Sequence, residues 1–341
     1  MKDNDFDLDA LATYLKATVP EIGAVRTIEK FAGGQSNPTY LLSTDQGEFV
    51  LRSKPRGKLL KSAHAVEREY RVMHALRDSD VPVPKTICLC EDTSIIGAVF
   101  FIMSYEAGRV FWDPSLPELS ASGRSDLYTD QIRVLAALHS ADPTSLGLED
   151  FGRPGNYFER QYNRWTEQYR ASETTAIKPM ESLIRWLGAN RPADDGQSAL
   201  IHGDFRLDNL IVRNASPTIQ AVIDWELSTL GHPFADLAYL CMCLRMPNTG
   251  QIRGLGGIAR APLAIPEEAD VVSTYCSLRG IERIDHWPFY LAFSFFRLAA
   301  ICQGVLKRAI DGNASSKRAR EVGALAPELA NLGMGVVDSA A

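Results

Sequence analysis

His202-Gly203-Asp204-Phe205-Arg206-Leu207-Asp208-Asn209, with Ile223-Asp224-Trp225-Glu226 further on, is the stretch from which the rest of this chain is read. A carboxylate, Asp204, and a carboxamide, Asn209, stand five residues apart, and a second carboxylate, Asp224, comes fifteen residues after the asparagine. Phosphoryl transfer uses this set: one Asp accepts the proton of the attacking hydroxyl, while an Asn and a later Asp hold Mg2+ against phosphate oxygens. The apolar runs Leu210-Ile211-Val212 and Ala221-Val222-Ile223 predict a hairpin that would pin both metal groups on one rigid frame. An HxDxxxxN string alone is weakly informative. The apolar-apolar-Asp element at this distance, behind a β-rich half, makes it specific. With Asp204 as base, His202 is expected to anchor backbone and not to exchange protons. Asp208 is expected to hydrogen-bond the loop.

Ahead of this island the pattern is strand-like. Leu8, Leu11 and Leu15 suggest an opening amphipathic helix, and Ala24 to Phe31 a strand. Thr39-Tyr40-Leu41-Leu42 and Phe49-Val50-Leu51-Arg52 predict strands joined across Asp45-Gln46-Gly47. Residues 63–77 read as a helix, and Thr86–Leu89 and Ala98–Met103 complete about five strands. Beyond Gly108 the period is helical, as in Ile132, Leu135, Ala136 and His139. The expected fold is α+β and bilobal, with a small β-rich lobe over residues 1–104 and a larger, mainly helical lobe over 105–341. The active site is expected in the cleft between them.

Composition supports this reading. A chain of 341 residues predicts two domains, and 45% apolar with 23% charged residues excludes a disordered or fibrous chain. The net charge of −6 argues against a nucleic-acid partner. The acidic start, Met1 to Asp7, lacks the order of a signal peptide. Trp287 to Leu306 imitates a membrane span, but Arg297 inside it predicts a buried core helix and no membrane association. Six cysteines without a CxxC pair read as reduced thiols of a cytoplasmic protein. Between two of the strands, Phe31-Ala32-Gly33-Gly34-Gln35-Ser36-Asn37 predicts backbone N–H groups that can approach phosphates, through Gly33, Gly34, Gln35 and Ser36, although no Walker A string exists. Gly254-Leu255-Gly256-Gly257 follows no strand and is not expected to bind a dinucleotide.

Across about residues 25–310 the chain resembles the aminoglycoside phosphotransferase/choline kinase family, relatives of protein kinases. The resemblance implies ATP and Mg2+ as cofactors, Asp204 as catalytic base, and Asn209 and Asp224 as metal ligands. It places Arg206 as a cation on the transferred phosphate. Arg52 falls at the position of the phosphate-orienting Lys, paired with Glu69, with Glu67 as the rival partner on another helix face. Phe101 to Gly108 resembles the hinge, where backbone groups of Ser104 and Glu106 would bond adenine. Gly231-His232-Pro233-Phe234-Ala235-Asp236-Leu237-Ala238 resembles the GDPxxDLA segment, with His232 in place of Asp and Asp236 expected to brace the catalytic loop.

Leu51 to Leu60, Ser62 to Val66, Phe293 to Ile301 and Gly312 to Ser316 more narrowly resemble the phosphotransferase domain associated with acyl-CoA dehydrogenases, often fused ahead of one, though this chain stops before any such domain. That implies a small-molecule hydroxyl acceptor, an anionic hydroxyacyl-CoA, and an acyl-CoA dehydrogenase as a possible partner. Two alternatives stay open: an aminoglycoside or choline-type kinase, and a catalytically silent nucleotide-binding partner of a dehydrogenase. Residues 241–341 hold eleven Lys and Arg against nine Asp and Glu, with no acidic run to suit a polycation. Arg245, Arg253, Arg260 and Arg297 are candidate anion contacts. The basic run Arg52, Lys54, Arg56, Lys58, Lys61 is either a solvated loop or a further one.

Overall fold

The computed structural model describes residues 7–31, 37–56, 64–250, 252–312 and 318–340. Gly33, Gly34, Gln35 and Ser36, and with them Lys58 and Lys61, lie outside the described residues. The chain divides into two compact units. The first runs to Arg109 and also takes Leu210–Ala215 and Ile219–Ser228; the second takes the rest.

The first unit opens with α1 (Leu8–Thr18), capped by the Asp7 carboxylate, which accepts the N–H groups of Asp9 and Ala10. Strands β1 (Val25–Lys30), β2 (Thr39–Thr44) and β3 (Gly47–Ser53) follow, then α2 (Val66–Leu76), β4 (Thr86–Cys90), β5 (Phe100–Ser104) and β6 (Gly108–Arg109). Strands β1 to β5 form one antiparallel sheet in the order β1-β2-β3-β5-β4. The β2–β3 hairpin closes with Thr44 opposite Gly47, whose φ of 132° suits glycine. Leu11 and Leu15 of α1 pack with Leu42, Leu51, Phe100 and Ile102 of the sheet, all without solvent exposure.

In the second unit, α3 (Ala121–Ser140), α4 (Tyr157–Ser172), α5 (Lys178–Ala189) and the short strand β7 (Ala199–Ile201) precede the loop that begins at His202. The chain then enters the hairpin β8 (Leu210–Arg213) and β9 (Ile219–Val222), which pairs with β6 and belongs to the first unit. A domain boundary drawn once along the sequence therefore misses this return. Strand β10 (Thr229–Gly231) pairs with β7, and α6 (Phe234–Arg245), α7 (Glu268–Arg279), α8 (Trp287–Ile310), α9 (Ala319–Gly323) and α10 (Ala326–Asp338) complete the second unit. Helix α8 is long and apolar enough to cross a membrane by length and composition, yet 72% of its most apolar window is buried inside the fold. Its Phe289 and Phe293 meet Phe158 of α4 edge-on at 5.5 and 5.4 Å, the arrangement aromatic quadrupoles favour in a core.

Candidate active site

Helix α2 places a carboxylate on its buried stripe. Val66, Glu69, Val72, Met73 and Leu76 recur at helical spacing and are all buried, Glu69 at 1% exposure. A charge there needs partners. Arg52 Nε on β3 lies 2.8 Å from Glu69 Oε2, an ion pair whose N–H direction misses the oxygen, and Asn37 donates to Glu69 Oε1 at 2.8 Å. Arg52 Nη2 donates to Asp224 at 2.6 Å. Glu67, off the stripe, pairs with Lys54 at 2.8 Å. The two basic side chains of β3 thus separate: Arg52 goes to Glu69 and Asp224, Lys54 to Glu67. Burial, with the charges of Asp224 and Glu226 adding, pushes Glu69 up to about 7 against the pull of Arg52.

Asp224 follows β9 with φ 65° and ψ 59°, a left-handed conformation that a short polar residue tolerates at modest cost. Carboxylate oxygens of Glu69, Asp224 and Glu226 lie within 4.8 Å of one another. Glu226 joining this group was not foreseen; its position two residues after Asp224 was the available signal. At the expected hinge, Ser104 N–H donates to Lys85 O at 2.8 Å and its hydroxyl to Glu106 at 2.6 Å. Gln220 holds the second Glu106 oxygen at 2.7 Å. The Ser104 N–H is therefore committed, whereas the Glu106 N–H has no partner among the described residues. Any adenine contact at Ser104 falls to its carbonyl.

In the second unit the loop after β7 is held from below. Asp236, on the first turn of α6 and fully buried, accepts the N–H groups of His202 at 2.6 Å and Gly203 at 2.9 Å. Gly203 has φ 85°, so glycine is the residue that lets the turn reach Asp236 without strain. His202 Nδ1 accepts the Asp204 N–H at 3.2 Å, the backbone-anchoring role expected of it. His232 likewise accepts the Phe234 N–H at 3.2 Å, just ahead of α6. Asn209 Nδ2 donates to the Asp204 carbonyl at 2.9 Å and to its carboxylate at 3.0 Å.

Tyr239 was not foreseen from the sequence. It stands three residues after Asp236, hence on the same face of α6. The Asp204 charge bears on its phenol. Burial first, then that charge, holds its O–H protonated far above the usual phenol range. Arg206 forks onto Asp208, Nη2 to Oδ2 at 2.6 Å with Nε on the other oxygen, so Asp204 has no cation paired with it among the described residues.

The basic candidates resolve differently from the expectation. Arg297 takes no carboxylate among the described residues; it donates to Gly203 O at 3.0 Å and lies over the Trp165 and Tyr239 rings at 5.8 and 5.7 Å. Arg245 forks onto Glu268 at 2.5 and 2.8 Å, and Arg260, 8% exposed, donates to the carbonyls of Leu244 and Pro266. Both therefore fasten the loop after α6 to its surroundings and are not offered to an acceptor. Arg253 alone of the three stays half exposed, 3.5 Å from Asp113. Gly254, in the glycine cluster, would place a Cβ 2.2 and 2.4 Å from the carbonyls of Met246 and Cys243, so that cluster serves close packing. Arg56 donates to the Ile96 carbonyl at 2.5 Å, so Arg52, Lys54 and Arg56 are all engaged within the fold.

A small unit built on an antiparallel sheet together with a larger, mainly helical unit is the fold of the aminoglycoside phosphotransferases. A sequence model described as the phosphotransferase enzyme family matches residues 27–271, and the chain belongs to that family. It is 47% identical over 327 residues to acyl-CoA dehydrogenase family member 10 of Mus musculus, covering 95% of this chain and 30% of the mouse protein. It is 42% identical to the Arabidopsis thaliana protein named as probable acyl-CoA dehydrogenase IBR3, covering 97% of this chain and 43% of that one. The chain thus spans less than half the length of these curated relatives. A Ralstonia eutropha crystal structure assigned as an aminoglycoside phosphotransferase superposes with a TM-score of 0.89 at 45% identity, covering 98% of this chain and 99% of that one. A spectinomycin phosphotransferase, at 14% identity, a TM-score of 0.65 and 96% and 98% coverage, shares the fold.

Proposed function

We propose that the chain transfers the γ-phosphate of Mg2+-ATP to a hydroxyl of an anionic small molecule, a hydroxyacyl thioester of the CoA type. The observation that carries the reading is the Asp204 carboxylate: fixed by Asn209, and left without a cation because Arg206 pairs with Asp208. A carboxylate so held accepts the proton of an attacking hydroxyl. Asn209 turns its Nδ2 to Asp204 and keeps Oδ1, and Asp224 gives Arg52 one oxygen and keeps the other. Hard oxygen donors of this kind fit Mg2+, which when bound neutralises charge on the phosphates. Arg52, oriented by Glu69, supplies a permanent cation for phosphate oxygens, and the Glu106 N–H a donor for adenine. Arg206 keeps Nη1 for the charge that develops on transfer.

The thioester is supported by the curated relatives, named as acyl-CoA dehydrogenases, and a dehydrogenase is the partner this reading implies. A polycationic acceptor is disfavoured because Asp208, Asp113 and Glu268 are each already paired with an arginine. An ATP-consumption screen across hydroxyacyl-CoAs, cationic antibiotics and amino alcohols tests the assignment. Turnover of hydroxyacyl-CoAs is expected, and activity on kanamycin-like polycations with none on acyl-CoAs overturns it.

The small unit has its own test. Arg52→Ala leaves Glu69 buried without its cation, a change that costs about 3–5 kcal/mol when a buried pair is broken. It should lower Tm and raise the ATP KM steeply. Lys54→Ala breaks a partly exposed pair worth under about 1 kcal/mol and should leave both near wild type. A crippling Lys54→Ala beside a silent Arg52→Ala overturns the assignment.

A further inference from the structure

Arg297 interrupts the apolar run of α8, where Phe293, Phe296, Leu298 and Ala300 are all buried. Its guanidinium lies over the Trp165 and Tyr239 rings and gives one Nη2 hydrogen to Gly203 O, the carbonyl immediately before Asp204. A guanidinium carries five N–H donors in two forks, one of Nε with Nη2 and one across Nη1 and Nη2. A single bond from Nη2 therefore leaves one fork whole. Arg52, Arg206 and Arg245 each turn their donors to carboxylates, Glu69 with Asp224, Asp208 and Glu268. Arg297 is part-buried and has no such partner among the described residues, and its remaining nitrogens are not sealed from solvent. Holding one carbonyl needs no charge: a neutral amide would do it at lower desolvation cost.

We infer that the free fork of Arg297 takes the acyl carbonyl oxygen of the acceptor, and so selects a hydroxyl that has a carbonyl on the same short chain. The inference rests on the thioester reading above and adds which part of the thioester is recognised beside the base. Both groups stand on the second unit, the guanidinium on Gly203 O and the base on the next residue. A carbonyl oxygen has two lone pairs and can accept both hydrogens of a fork. Two rings and the Gly203 bond restrict the guanidinium before an acceptor arrives, so little side-chain freedom is lost on binding. An aminoglycoside would meet this cation with like charge. A free hydroxy acid presents the same oxygen chemistry as the ester, and the test separates the two.

The test offers the full chain, with Mg2+-ATP, one hydroxyacyl-CoA thioester, the thioether in which a methylene replaces its carbonyl, and the free hydroxy acid. The wild type should show a KM about 10–100-fold lower for the thioester than for the thioether, the worth of a hydrogen bond from a charged donor, with kcat alike for the two. Arg297→Ala should erase that preference. Any slackening of the loop at Gly203 lowers kcat for both acceptors and leaves the ratio of their KM values unmoved, which separates recognition from a merely structural role. A preference that survives Arg297→Ala overturns the inference, as does a wild type without preference, the result if solvent alone occupies the fork. Turnover of the free hydroxy acid in preference to the ester, or of neither CoA compound while another acceptor is phosphorylated, overturns the thioester reading itself. Should Arg297→Ala not fold, Arg297→Lys decides: it keeps a charged donor for Gly203 O but no fork, and its preference should fall well below that of the wild type. A preference equal to the wild type's overturns the inference.

Discussion

Asp204→Asn should reduce turnover by about 10²–10⁴-fold, the usual worth of a general base, and leave nucleotide affinity nearly unchanged. The split follows from where its contacts go. The Asp204 side chain meets Asn209 Nδ2 at 3.0 Å. The groups assigned to phosphates and adenine are held separately: Arg52 pairs with Glu69 and Asp224, and Glu106 takes Gln220. An asparagine keeps an oxygen for Asn209, so the loop retains its shape while losing the one atom able to take a proton. Steady-state turnover beside equilibrium binding of a nucleotide analogue decides it. Retained turnover removes Asp204 from the base role; a matching loss of nucleotide affinity shows that the substitution has disturbed more than the base. Asp208→Asn is the informative neighbour: it frees Arg206, and its effect should be smaller than that of Asp204→Asn, because Asp208 is already neutralised by its own arginine.

The order of elements was legible because the periodicities are clean. The alternating runs around Asp45-Gln46-Gly47 became β2 and β3, and the stripe from Val66 to Leu76 became α2, with Glu69 inward and Glu67 outward as helix geometry requires. The Asp236 brace was legible from the resemblance alone, since nothing local announces that a carboxylate on α6 will accept N–H groups thirty-three and thirty-four residues back. Side-chain partners were less accessible. Arg297 in an apolar run demands a partner, but sequence could not indicate that a backbone carbonyl and two aromatic rings would serve instead of a carboxylate. The loop arginines misled for a related reason. A guanidinium suits substrate anions and backbone carbonyls equally, and Arg245 and Arg260 spend theirs on Glu268 and on carbonyls at the loop's ends.

Asp236→Asn should cost both stability and turnover while sparing the ATP KM. The carboxylate accepts two backbone N–H groups and faces His139 Nε2 at 3.4 Å, and His139 Nδ1 meets the Tyr275 hydroxyl at 2.7 Å. An asparagine has one oxygen for these donors and turns an NH2 toward the rest. At least one buried N–H is left unpaired, at about 1–3 kcal/mol, and a Tm lower by several degrees follows. With Gly203 released, Asp204 loses its fixed position, so kcat falls although nothing that binds nucleotide has changed. The pH dependence carries the sign. Burial alone would push Asp236 up, but the His139 hydrogen bond and charge and the backbone N–H groups hold it below the ordinary 3.8. Its stabilisation is therefore full above that value and is lost as pH falls through the lowered one. Burial holds His139 below its ordinary 6.5, so the unfolded chain takes up a proton that the folded chain refuses, and stability declines as pH drops below 6.5. Wild-type Tm should thus begin to fall below about pH 6.5 and steepen near pH 4, whereas Asp236→Asn should lose this site's contribution to the lower step. Melting curves from pH 3 to 8 beside kcat and KM at neutral pH provide the measurement, and a variant with unchanged Tm and kcat would falsify the brace.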